Sequence, residues 1–94
     1  MRVLAILRPP AGTDVRDAVM QRAEEEMRSL WELYRTGLVR EMYSPGGPGA
    51  VLVLEADSLE DARERLALPL LAEGIMSLEL IELHPFAALQ MLFA

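Results

Sequence analysis

The stretch from Ala50 to Leu83 constrains the fold more than any other part of the sequence. An apolar run of strand length comes first, and Ser58 with Asp61 three residues later is typical of a helix N-terminus. Pro69 is expected to end that helix, because proline disfavours helical backbone at the residue before it. A second strand-like run follows. The stretch therefore predicts a strand, a helix and a strand at Ala50–Ala56, Leu59–Leu68 and Ile75–Leu83.

The first half of the chain predicts a similar order of elements. Arg2–Arg8 is a strand candidate with apolar side chains on both faces. A long helix follows, with Thr13 or Asp14 as the expected N-cap and Gly37 as the expected C′ residue. Leu38–Tyr43 is the next strand candidate. Apolar residues share one broad face of the long helix at helical spacing: Val15, Val19, Ala23, Met27, Leu30, Trp31, Leu33 and Tyr34.

The element order predicts the fold class. Strand, helix, two strands, helix and strand form the split βαβ plan of an α+β, ferredoxin-like domain. Such a domain has one antiparallel sheet with both helices on one face. We expect residues 1–94 to make a single domain of this kind. The apolar tail, Phe86–Ala94, is expected to form two helical turns and to have a packing role.

The apolar residues of the sheet predict self-association. Arg2–Arg8 and Ala50–Ala56 carry apolar side chains on both faces, yet two helices can cover only one face of a four-stranded sheet. Apolar residues make up 52% of the chain, slightly more than usual. A second copy would bury the remaining face, so we expect a homodimer or a higher homo-oligomer.

Composition also excludes several partners and sites. The net charge of −6 argues against nucleic acid, because the chain could not neutralise phosphates. The apolar run Val3–Leu7 is too short for a membrane span. The chain has no cysteine, one histidine and no nucleotide-binding motif. We therefore expect neither a metal nor an organic cofactor, and the absence of cysteine suits a cytoplasmic protein.

Three side chains are candidates for chemistry. Glu26 lies on the apolar edge of the long helix, where burial would raise its pKa and suit a general base; the alternative is an ion pair with Arg22 one turn earlier. His84 could act as an acid or base, or be held by a backbone carbonyl at a strand end. Arg40 could bind a substrate carboxylate, or be a solvated or intersubunit charge.

Two aromatic residues, Trp31 and Tyr43, are candidates for contacting a ligand. For Trp31, as for its helix neighbour Tyr34, the alternative is a place in the core.

Several short motifs, in order, resemble a known family. Leu68-Pro69-Leu70 ends the second helix, and a strand with a glutamate then leads to His84-Pro85. Gly37-Leu38-Val39-Arg40 and Asp57-Ser58-Leu59-Glu60 are further matches. Over residues 26–85 the chain resembles a muconolactone isomerase-type member of the dimeric α+β barrel superfamily. It departs from that family in the apolar run that starts at Ala50, where the family has a polar strand with an asparagine.

The resemblance implies a function. It implies a barrel-forming homodimer that acts without a cofactor as an isomerase or lyase on a small anionic ring compound. Arg40 would hold the carboxylate of the substrate, and Glu26 or His84 would move the proton. Two alternatives stay open: a non-catalytic small-molecule-binding or assembly module, and a cofactor-free monooxygenase acting on an aromatic compound.

Overall fold

The computed structural model describes residues 1–93 and has the predicted order of elements. Its strands are β1 (Arg2–Arg8), β2 (Val39–Tyr43), β3 (Ala50–Glu55) and β4 (Ser77–Leu83). Its helices are α1 (Arg16–Arg35), α2 (Leu59–Arg65), the short α3 (Pro69–Ala72) and a 3-10 helix in the tail (Ala87–Leu92). The sheet order is β2-β3-β1-β4 and every neighbouring pair is antiparallel. The α+β, ferredoxin-like prediction is confirmed.

The core lies on one face of this sheet. Val3, Ala5 and Leu7 of β1 are buried there. Ala62 and Leu66 from the α2 region pack into the same cluster, as do partly buried leucines of α1. Helices α1 and α2 therefore cover the same side of the sheet, as the element order predicts.

The opposite face of the sheet carries no helix. Cross-strand pairs place its central side chains in two rows, with Leu4 between Val53 and Ile81, and Ile6 beside Val51. We call this surface the open face and define it by residues that are partly or largely exposed in one chain: Leu4, Ile6, Tyr43, Val51, Val53, Ile81 and Leu83. Charged residues border it, including the ion pair between Arg8 and Glu79 at 3.0 Å.

The start of α1 differs from the prediction. Val15, and not Thr13 or Asp14, is the N-cap residue, and it has no capping side chain. Asp14 Oδ1 instead accepts hydrogen bonds from the backbone N–H and the guanidinium of Arg16, each at 3.1 Å. The local hydrogen bonds of Asp14 thus replace a cap. The end of α1 follows the prediction, because Gly37 adopts a φ of +93° and its N–H donates to a carbonyl of the last turn.

The second helical region is divided in two. The Ser58 cap is confirmed, since its Oγ accepts from the Asp61 N–H at 2.9 Å. However, α2 ends at Arg65 and not at Leu68, and Pro69, which was expected only to end a helix, begins α3. Proline lacks an N–H and its fixed φ suits the first position of a helix, so it starts a new helix here as well as limiting the previous one.

The beginning of β4 is also later than predicted. The N–H groups of Ile75 and Met76 both donate to the carbonyl of Leu70. These two N–H groups are therefore bonded to α3 and not to the sheet, and the strand starts at Ser77.

A β-bulge changes the faces of β2. Two steps along β2, from Val39 to Glu41, match one step along β3, so Arg40 is an extra residue without a cross-strand partner. Simple alternation along β2 would place Arg40 and Met42 on one face, and the bulge interrupts that alternation. The pairs on either side of the bulge place Val39 and Met42 on the helix side of the sheet. They place Glu41 and Tyr43 on the open face.

The outer side of α1 and the tail are more exposed than expected. Trp31 and Tyr34 are 58% and 45% exposed in one chain, so the prediction of a core position is wrong for both. Their ring centroids are 5.9 Å apart and the two rings stack on each other. Phe86–Phe93 is also exposed, while Ala94 lies outside the described residues. The radius of gyration of 15.1 Å exceeds the roughly 12 Å expected of a compact chain of this length.

Within residues 1–93, no helix combines the length and apolar character needed to cross a bilayer.

Candidate functional site

A small cavity lies between α1, α3 and one end of the sheet. Its volume is about 120 Å³, and Glu26 is its one titratable lining residue. The remaining lining residues are apolar or glycine: Leu7, Val19, Ala23, Met27, Leu30, Gly49, Ala50, Leu68, Leu70 and Met76. The cavity is therefore an apolar space with a single carboxylate.

Glu26 is held in place by a backbone amide of another helix. The residue is only 5% exposed, and its Oε1 accepts a hydrogen bond from the Leu70 N–H at 3.1 Å. Leu68, the N-cap residue of α3, offers no capping side chain, and Pro69 has no N–H. The Leu70 N–H would otherwise be one of the unsatisfied donors at the start of a helix. Glu26 thus caps α3 from α1.

The second oxygen of Glu26 remains accessible. Oε2 makes no hydrogen bond within residues 1–93. Every fully buried side-chain oxygen in that part of the chain has a hydrogen-bond partner, so Oε2 is not one of them. Oε2 is therefore not enclosed by protein, and Glu26 lines the cavity. A molecule in the cavity would meet an oxygen whose carboxylate is already oriented through its other oxygen.

The alternative of an ion pair between Glu26 and Arg22 is wrong. The guanidinium of Arg22 binds Glu73, with Nε 2.8 Å from Oε2, and lies 3.7 Å from Glu25. Arg22 is therefore directed toward α3 and the surface, and no cation of residues 1–93 pairs with Glu26.

The surroundings of Glu26 alter its acidity. Burial raises the pKa of Glu26 above its ordinary value, and the hydrogen bond from the Leu70 N–H partly opposes that rise. The direction agrees with the prediction from its position on the helix. A carboxylate of raised pKa in an apolar space is a better proton acceptor than an exposed one.

Glu26→Gln is expected to change how stability depends on pH. Because the pKa of Glu26 is higher in the folded chain, folding favours its protonated form. That contribution is fully present at low pH and is lost as the pH rises through the raised pKa. Glutamine keeps the acceptor for Leu70 and does not ionise. The free energy of unfolding of the native chain should therefore fall relative to Glu26→Gln as the pH rises from 4.5, the ordinary pKa of glutamate, through the raised pKa.

Urea denaturation of both proteins across that range gives the measurement. A difference between the two that stays constant with pH would contradict the raised pKa.

Arg40 and His84 lie at the other end of the sheet. The cavity adjoins the end where Leu7 of β1 pairs with Ala50 of β3. Arg40 stands in the bulge near the opposite end of β3, and His84 follows β4 where that strand meets the start of β1. The structure thus does not bring these two residues together with Glu26 in one chain. His84 is exposed, with Nε2 3.5 Å from Glu82 Oε1 rather than on a backbone carbonyl.

The two aromatic candidates also lie outside the cavity. Tyr43 is on the open face, where its hydroxyl donates to Glu41 Oε1 at 2.6 Å, and this bond raises the pKa of Tyr43. Trp31 is on the outer side of α1. The roles of Arg40, His84, Tyr43 and Trp31 toward a ligand stay predictions.

Two features of the cavity were missed by sequence reasoning. The Leu70 N–H holds Glu26, and Gly49 allows β3 to approach the end of β1. The Leu68-Pro69-Leu70 motif contains a signal for the first, because proline can mark the first position of a helix, where the following amides have no acceptor within the helix. The glycine-rich loop signals a turn but not a close contact.

In residues 1–93, no three histidine or acidic side chains form a group that could hold a metal ion.

Comparison with solved structures identifies a protein of similar fold. A crystal structure of muconolactone isomerase superimposes with a TM-score of 0.68 and 25% sequence identity, over 92% of this chain and 93% of that one. No protein-family model matches the sequence, and neither does any curated protein. The chain therefore has a muconolactone isomerase-like fold, as the order of its sequence motifs predicted.

Proposed function

We propose that this protein binds a small ring compound and moves a proton on it with Glu26, as a cofactor-free isomerase or lyase. The observation that carries the proposal is the Glu26 carboxylate, with one oxygen fixed by the Leu70 N–H and the other accessible in an apolar cavity. The structural similarity to muconolactone isomerase supports a reaction of this class.

The environment of Glu26 suits proton abstraction next to a carbonyl. Burial among apolar walls keeps the pKa of the carboxylate raised and strengthens its interaction with a bound C–H acid. The hydrogen bond to Leu70 removes rotational freedom from the carboxylate before a ligand arrives. Both effects act in the folded protein without any bound group.

The cavity also limits the ligand. A volume of about 120 Å³ is below that of an apolar cavity of ~150 Å³ known to bind benzene, so one five- or six-membered ring is the largest body it accommodates. No lysine or arginine lines it. We therefore propose a neutral ring, such as a lactone or a cyclic enone, in the cavity. An anionic substituent would extend beyond it.

Proton exchange tests this function without knowledge of the natural substrate. An unsubstituted butenolide and cyclohexenone serve as probes, and NMR in deuterated buffer follows loss of the proton next to the carbonyl group. The native protein should accelerate that loss, and Glu26→Gln should lower the rate by about 10²- to 10⁴-fold. Binding, measured by the shift in melting temperature, should be retained in Glu26→Gln.

Two further variants serve as controls. Glu24→Gln removes an exposed carboxylate from the same helix and should leave exchange unchanged. Arg40→Ala should change neither the binding nor the exchange of the neutral probes. Binding of a carboxylated butenolide, compared between the native protein and Arg40→Ala, decides whether Arg40 binds an anionic ligand. Exchange that survives in Glu26→Gln would contradict the proposal. Binding without exchange in the native protein would favour a non-catalytic binding module.

We also propose that the protein is a homodimer joined through the open face. The observation that favours this association is the set of apolar side chains exposed on that face. Leu4, Ile6 and Val53 cannot be covered by the helices of their own chain, because both helices lie on the other side. The exposed tail, Phe86–Phe93, adds apolar area to the same association. Burial of such area contributes about 25 cal/mol per Å², from which the cost of association must be subtracted.

A further inference from the structure

Within residues 1–93, two polar contacts join the α3 region to α1, one at each end of α3. At its start the Leu70 N–H donates to Glu26, and at its end Glu73 is the C-cap residue. Both carboxylate oxygens of Glu73 accept from the guanidinium of Arg22, through Nε and Nη2. Arg22 and Glu26 are one turn apart on α1, so one face of α1 holds both ends of α3.

The contact between Arg22 and Glu73 differs from the other ion pairs of α1. Pairs such as Arg28 with Glu24 join residues within that helix. Across residues 1–93, Arg22 and Glu73 form the only ion pair between two helices. Its two parallel hydrogen bonds fix orientation as well as distance, which a single contact to a flexible side chain does not.

The short helix held by this pair is a wall of the cavity. Leu68 and Leu70 line the cavity from the start of α3. The helix has only four residues, and Gly74, with a φ of +73°, follows it. A helix of one turn is not stable through its own hydrogen bonds. The position of α3 therefore depends on what it contacts.

We propose that Arg22 and Glu73 are positioning residues: by holding α3 against α1, they keep the Leu70 N–H on the Glu26 carboxylate. The catalytic meaning of this inference rests on the proposed function, since it concerns the same carboxylate. When the pair is broken, α3 separates from α1 more often. Glu26 Oε1 then loses its donor, and the carboxylate rotates in the cavity.

Hydrogen exchange of the Leu70 amide tests the proposal directly, because Glu26 is the acceptor of that amide. In Glu73→Ala, exchange measured by NMR should be about three- to tenfold faster than in the native protein. The Leu70 amide proton shift should follow the titration of Glu26 in the native protein, with a smaller amplitude in Glu73→Ala. Glu73→Gln keeps an acceptor for one guanidinium N–H and should be intermediate.

Glu25→Ala is the matched control. It also removes a carboxylate beside Arg22, at 3.7 Å, but leaves the contact to α3 intact. Its Leu70 exchange should stay within about 1.5-fold of the native rate. The positioning role would be wrong if Glu73→Ala left exchange and titration unchanged, or if Glu25→Ala had the same effect. These measurements use no ligand, so a failure of the proton-transfer proposal would not alter them.

Discussion

Replacing Leu4 with lysine is expected to convert the protein from a dimer into a monomer. Leu4 lies at the centre of the open face, between Val53 and Ile81. In a dimer joined through that face, the lysine ammonium would be buried among apolar side chains without a partner, which is strongly unfavourable. We expect the dissociation constant to rise at least about 100-fold. Light scattering at micromolar concentration gives the mass, to be compared with 10.5 kDa for one chain.

Met20→Lys makes the same kind of change outside the open face. Met20 is exposed on the outer side of α1, so a charge there should leave the dimer intact. In a single chain the Leu4 side chain is already partly exposed, so the substitution should cost the monomer little stability. Leu4→Lys should therefore unfold at nearly the same urea concentration as the native protein at a dilution where it is monomeric. A native mass of 10.5 kDa at micromolar concentration would contradict the proposed dimer.

Gly49→Ala is expected to destabilise the fold by about 4 kcal/mol. Two causes add. Gly49 has a φ of +127°, in a region almost confined to glycine, and a Cβ at this position would overlap the carbonyl oxygen of Leu7. Relief of that overlap requires the start of β3 to move away from the end of β1. The free energy of unfolding in urea measures the loss.

Gly46→Ala separates the two causes. Gly46 lies in the same loop with a φ of +94°, but a Cβ there would meet nothing within 4 Å. Only the backbone term remains, so the expected loss is about 1 kcal/mol. Equal losses for the two variants would show that the close approach to Leu7 does not contribute.

The sequence predicts the fold well because local and long-range signals agree. The apolar run at Ala50, the cap at Ser58 and the glycine at Gly37 each predict one boundary from residues a few positions apart. The order of the elements then permits few topologies. Alternation also predicts which side chains of β1 share a face, because no bulge interrupts that strand, but both faces are apolar and the sequence does not indicate which of them the helices cover.

The remaining features depend on contacts between distant residues. The bulge at Arg40 is set by the pairing of β2 with β3, and simple alternation along β2 gives no sign of it. Glu26 meets Leu70 across 44 positions, so the sequence indicates an unusual carboxylate but not its partner. Trp31 suggests burial because it is large and lies on the apolar face of the helix, but in one chain its side chain is exposed.

The bulge in β2 has a consequence for solubility. The sheet has two free edges, β2 and β4, where unpaired backbone groups could recruit strands from other molecules. Arg40 distorts the regular ladder on β2, while Glu79 and Glu82 place negative charge along β4. These features discourage the edge-to-edge strand addition that produces fibrils. Association through the open face then stops at the dimer. Raising the protein concentration should increase the fraction of chains in dimers and should not produce filaments.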